Sequence, residues 1–136
     1  MNANQRVKML TDNGIIGEMP HFAEHETWDF NCWGFTARLL DWIDRERWLK
    51  NGEMRDLLSS HSIHIEESEV QVGDIAVYGD VDVHLEHTAL VSELSEDGNH
   101  IFVHKPGACA LEVASISEVL DWHGVYGDIT EWRRPC

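Results

Sequence analysis

Proline and cysteine are scarce in this chain, three of each in 136 residues, and basic side chains are outnumbered, ten Lys and Arg against 25 Asp and Glu. Each shortage excludes something. Three scattered prolines, with no internal repeat and no low-complexity tract, leave nowhere to place a linker, so a single domain over residues 1–136 is expected. Cys32, Cys109 and Cys136 are odd in number and far apart, which argues against a disulfide framework and against the paired spacing of a zinc knuckle. Reduced thiols are the simpler reading. A formal charge of -15 would repel nucleic acid and an anionic membrane surface, and it disfavours a polyanionic substrate. Long hydrophobic runs are missing too. Met1 to Pro20 includes Arg6, Lys8 and Asp12 and no continuous apolar stretch, so neither a signal peptide nor a membrane anchor is expected. The chain reads as cytoplasmic unless it is exported by a route that uses no cleaved leader.

What is present is a 43% apolar composition, enough to bury a core without staples, arranged in two unlike halves. In the first half a short helix is expected over Asn4 to Leu10, ended by Asn13-Gly14, and a loop runs through His21 to Phe30. From Cys32 to about Leu49 the apolar positions Cys32, Phe35, Leu39, Trp42 and Ile43 recur at three- and four-residue steps. Arg38, Asp41, Arg45 and Glu46 take the other side. This predicts a long amphipathic helix braced by the pairs Asp41 with Arg45 and Glu46 with Lys50 and stopped at Asn51-Gly52, with a further short helix over Met54 to Ser59. The second half alternates in the manner of strands. Short β-rich runs are expected at Ile75 to Tyr78, His87 to Leu94, Ile101 to His104, Leu111 to Ala114 and Val125 to Trp132, with turns at Gly73-Asp74 and Asp97-Gly98-Asn99. Ser115-Ile116-Ser117-Glu118 has the form of a capping box opening a helix through Trp122, closed by Gly124. The predicted class is α+β: a cysteine-bearing helix packed on an antiparallel sheet that carries histidines.

Placing a thiol at a helix start has a chemical consequence. Cys32, in Asp29-Phe30-Asn31-Cys32-Trp33-Gly34-Phe35, would face the positive end of the helix dipole and the unpaired first-turn amides, which favour the thiolate. His87 opens one strand and His104 ends the next, and in an antiparallel hairpin the start of one strand lies beside the end of its neighbour. The two imidazoles can therefore meet, one taking the thiol proton and the other orienting it, a relay of sulfur, imidazole and orienting imidazole.

The order of a cysteine opening a helix, then Gly73-Asp74-Ile75-Ala76-Val77-Tyr78, then His87-Thr88-Ala89-Leu90-Val91, then Phe102-Val103-His104, resembles the NlpC-type papain-like cysteine peptidases of bacterial cell walls. The resemblance covers roughly residues 28 to 134. It implies a papain-like fold of the NlpC type, with Cys32 as nucleophile, His87 as base and His104 as its orienting residue. It further implies cleavage of an amide or peptide bond, in a peptidoglycan stem peptide or a similar small peptide or amide, through a thioacyl-enzyme and without metal or cofactor. Were the chain a secreted toxin, an immunity or inhibitor protein would be its partner. Family members commonly carry an aspartate before the cysteine, a serine-glycine after it and a small residue before the base; here these positions hold Asn31, Trp33-Gly34 and Glu86, and the upstream tyrosine and paired glycines of the peptidase pocket are not found. Asn31-Cys32 before an aromatic-rich helix is also similar to the lecithin retinol acyltransferase-like branch of the superfamily, in which the histidines precede the cysteine. Here the cysteine comes first, so a peptidase or amidase ranks ahead of a thiol acyltransferase or deamidase, and ahead of an inactive binding module.

Other residues near the cysteine have two readings each. Trp28 and Trp33 flank it and either pack the core or floor a substrate groove. Glu24, Glu26 and Asp29 form a solvated loop face, or line the cleft and favour a cationic or free-amine substrate. Metal chemistry would draw on His21 and His25, or on His84, Glu86 and His87, yet on a strand His84 and Glu86 share a face and His87 points away. Cys109 and Cys136 lie outside any relay.

Overall fold

The structure, a computed structural model, describes residues 2–15 and 29–136. Four helices and a six-stranded antiparallel sheet are present among them, so the chain is α+β. In chain order the elements are α1 (Ala3–Asp12), α2 (Cys32–Leu39), α3 (Asn51–His61), β1 (Ser62–Ile65), β2 (Ile75–Asp80), β3 (His84–Glu93), β4 (Ile101–His104), β5 (Glu112–Ser115), α4 (Ile116–Trp122) and β6 (Ile129–Pro135). Strand order across the sheet is β1-β6-β2-β3-β4-β5, which puts the two histidine strands side by side. None of the helices among the described residues is long and apolar enough to cross a membrane.

Strand alternation divides the apolar residues between two faces. On one face Ile75, Val77, Leu90 and Val103 pack with Val7 and Leu10 of α1, Phe35 and Leu39 of α2, and Met54 and Leu58 of α3. On the other, Ala76, Tyr78, Ala89, Val91 and Phe102 pack with Val119 of α4 and Trp132 of β6. The capping box of α4 is in place: Ser115 Oγ accepts from the Glu118 amide and Glu118 Oε1 accepts from the Ser115 amide.

The long helix expected from Cys32 to Leu49 is only Cys32–Leu39. The chain turns at Leu40 and Asp41, whose φ of 59° is left-handed, and Trp42 and Ile43 reach the same core from an irregular segment. The apolar spacing was satisfied by burial without a helix to carry it. The two expected charge pairs fall with that helix; Arg38 instead bonds Asp41 at 3.3 Å and Glu46 at 3.2 Å. Asn51-Gly52 opens α3 rather than ending a helix, because Asn51 uses its side chain to accept from the Leu85 amide and donate to the Leu85 carbonyl. β1 lies where no strand was expected, and the last strand begins at Ile129, after a 3-10 turn over Gly124–Tyr126.

Candidate active site

The start of α2 is fixed by the residue before the cysteine. Asn31 Oδ1 accepts from the Gly34 amide at 2.9 Å, which caps the helix, and also from the Leu49 amide at 3.2 Å, while Nδ2 donates to the Leu49 carbonyl at 2.9 Å. An aspartate could cap but could not make that donation. The Asn31 side chain thus ties a returning segment across the helix N-terminus. Gly34 belongs to the same device: a Cβ there would stand 1.9 Å from the Arg47 carbonyl oxygen, so only glycine admits the crossing. Further along, Thr36 Oγ1 lies 3.0 Å from Thr88 Oγ1, joining α2 to β3 in the buried interior.

β3 carries its histidine through a β-bulge. Tyr78 pairs with His87 and Gly79 with Leu85, so Glu86 is left over. Gly79 makes the bulge possible, with φ of 96° and the Glu86 amide nitrogen 2.6 Å from where a Cβ would be. Leu85 can then pack on the helical face while His87, two residues on, joins Tyr78 and Tyr126 on the other. Glu86 is exposed.

The two histidines are joined. His87 Nε2 and His104 Nδ1 are 2.7 Å apart in the buried interior. His104 Nε2 is in turn 2.8 Å from Glu112 Oε1, and the same oxygen is 2.9 Å from His123 Nε2 at the C-terminal end of α4. Tyr126 stacks on His87, its ring parallel within 3° and 4.1 Å away. His87 Nδ1 is buried and has no hydrogen-bond partner, and the same holds for Tyr78 Oη and Trp33 Nε1.

The thiol lies against the middle of β3. The amides of Thr88, Trp33 and Cys32 point hydrogen-bond donors at Cys32, and the Lys105 ammonium is near enough to favour its anion. Burial outweighs them all. Cys32 is 6% exposed, and desolvation pushes its thiol from an ordinary 9.0 up to about 12. This corrects the expectation that the helix start makes a ready thiolate: the dipole and amides act, but water is missing. His87 is fully buried, and burial first, then the neighbouring His104 and His123, hold its imidazole well below the usual histidine range. In this state both the Cys32 thiol and the His87 imidazole are neutral. Glu112 is pulled below the usual carboxylate range, first by its hydrogen bond with His104.

Of the residues read from sequence, His87 and His104 are bonded to each other, and Cys32 meets the amide of Thr88, the residue after His87. Trp33 packs partly buried against the helical core, and Asp29 is exposed. Trp28 lies outside the described residues, as do His21, Glu24, His25 and Glu26. His84 and Glu86 share the solvent side, 3.8 Å apart, and His87 is turned from them. The sequence reading missed Glu112, His123 and Tyr126. A signal existed for the first: a hairpin pairing Val103 with Val113 sets Glu112 opposite His104. His104, Glu112 and His123 are also the group among the described residues whose donor atoms, all within 4.8 Å of one another, could hold a metal ion, although they already bond one another. Comparison with family models, curated proteins and solved structures finds no match to this chain.

Proposed function

We propose that the domain is a papain-like cysteine hydrolase of the NlpC type that cleaves a peptide or amide bond through Cys32, His87 and His104. One observation carries the reading: His87 is held by His104 through Nε2, which leaves Nδ1 unpartnered, and the thiol rests on the amide of the next residue, Thr88.

With the thiol neutral at rest, the proton has to leave as the sulfur attacks. Nδ1 of His87 takes it, Sγ of Cys32 bonds to the acyl carbon, and the carbonyl oxygen gathers charge opposite the amides of Cys32 and Trp33. The C–N bond breaks as His87 returns the proton to the leaving amine. Water, deprotonated by His87, then releases the acid and the thiol. His104 holds the imidazole through both half-reactions. A short peptide or a peptidoglycan fragment meets these requirements, and the low exposure of Cys32 demands that the site open to admit it.

The second reading is a binding module that keeps the relay without turnover, and the raised thiol favours it. A panel of peptide, peptidoglycan-fragment and amide substrates, followed by mass spectrometry for an acyl adduct on Cys32, separates the two. Turnover abolished in Cys32→Ala and reduced to a slow residue in His104→Ala is the expected result. Equal activity of Cys32→Ala and the parent overturns it.

A further inference from the structure

The hydrogen-bond chain does not stop at His104, and its far end dictates where its protons sit. Resting on the hydrolase reading above for its catalytic meaning, we infer that Glu112 is a positioning residue that sets the tautomer of both buried histidines, so that the basic nitrogen of His87 is Nδ1, the one the histidine chain leaves unpartnered.

The argument runs from the carboxylate inward. An ionised carboxylate only accepts hydrogen bonds. Glu112 Oε1 lies 2.8 Å from His104 Nε2 and 2.9 Å from His123 Nε2, so both of those nitrogens carry hydrogen. Where His104 is singly protonated, that proton is on Nε2 and Nδ1 has a lone pair. That lone pair, 2.7 Å from His87 Nε2, can only accept, and so His87 carries its proton on Nε2 as well. One nitrogen is left over. His87 Nδ1 has the second lone pair, is buried, and meets no other donor. Exchange Glu112 for a group that can donate, and the chain is free to run in the other direction: His104 would carry hydrogen on Nδ1, His87 would accept at Nε2, and Nδ1 of His87 would carry a hydrogen where the hydrolase reading requires a base.

His123 serves the carboxylate and not the imidazoles. Its Nε2 donation into the same oxygen helps fix Glu112 in the plane that His104 needs. Tyr126, stacked on His87, blocks the ring from turning over and exchanging its two nitrogens. Glu112 touches neither the thiol nor the space beside it and acts only through His104.

The test reads tautomers directly. Long-range proton–nitrogen correlation spectra of the full-length, nitrogen-15-labelled protein at pH 7.5 distinguish protonated from unprotonated imidazole nitrogens. The expected spectrum of the parent has both His87 and His104 protonated at Nε2 and bare at Nδ1. In Glu112→Gln, whose amide has the same shape and can donate, Nδ1–H forms become populated at both rings. Acylation of Cys32 by an electrophilic peptide ester should then fall by about 10- to 100-fold, the range over which outer partners of a working imidazole act. His123→Ala, which keeps the carboxylate, should lose less and leave the tautomers unchanged. A parent spectrum with His87 protonated at Nδ1 overturns the inference, whether or not the variant folds. The two readings fail separately: Nε2–H tautomers with a thiol that no ester acylates would leave Glu112 its role and sink the hydrolase, and an active thiol beside an Nδ1–H His87 would do the reverse.

Discussion

Adding one methyl group at Gly34 should be among the most damaging small changes in this protein. A Cβ there would sit 1.9 Å from the Arg47 carbonyl oxygen, against a contact limit near 3.0 Å, so that the Arg47 backbone has to retreat by more than about 1 Å. It is not free to do so. Two residues on, Leu49 is fully buried and bound through both its amide and its carbonyl to the Asn31 side chain. A displacement of that size breaks both hydrogen bonds, at about 1 kcal/mol each, and strands buried backbone groups that add a further ~1–3 kcal/mol. Alanine returns about 1 kcal/mol through its better helix propensity. The net expectation for Gly34→Ala is a loss of about 2–4 kcal/mol, or about 6–12 °C in Tm for a domain of this length. Urea titration followed by the fluorescence of the six tryptophans measures it. A variant as stable as the parent, or more so, would refute the account of the helix start, because the propensity gain would then be unopposed.

Three further expectations follow from the same interior. Thr36→Val should destabilise by about 1–3 kcal/mol because it leaves the Thr88 hydroxyl buried without its partner 3.0 Å away, and Thr36→Val with Thr88→Val should lose less than the two singles together, as a double-mutant cycle in urea would reveal. Since folding raises the Cys32 thiol from 9.0 to about 12, the unfolded chain ionises first; the stability it supplies is complete below about pH 9 and is lost as pH climbs toward 12, by at most about 1.4 kcal/mol per pH unit. Chemical denaturation between pH 8 and 11 should therefore decline more steeply for the parent than for Cys32→Ala. At pH 7.5 iodoacetamide should label the exposed Cys109 and Cys136 at least about tenfold faster than Cys32, with the difference erased in denaturant; peptide mapping that finds Cys32 the fastest would contradict the buried, neutral thiol.

The strands of the second half were legible because alternation and turn residues agree there. Ile101–His104 has the expected bounds, and α4 begins at its capping box. Alternation also put His87 with Ala89 and Val91, and the hairpin put it near His104; the structure has both. The helix beyond Leu39 was misread for a physical reason. Three- and four-residue spacing reports which residues are buried, and a looped segment pinned by Asn31 buries Trp42, Ile43 and Leu49 as well as a helix would. Thiol chemistry was misread in a similar way. Sequence shows the helix start that lowers a pKa but not the desolvation that raises it more. The Glu86 bulge was invisible too, since nothing local distinguishes an extra residue in a strand from a regular one.

The partition of the core into two faces has a mechanical consequence. Cys32 rides on a helix packed against one core, whereas His87 and its partners hang from strands on the side of the other, and the Thr36–Thr88 hydroxyl pair is one contact joining the two. Sliding α2 by a fraction of an ångström would alter the gap between sulfur and nitrogen while the histidine chain stayed whole. On the hydrolase reading proposed above, that gap is thus governed by how two layers seat on each other.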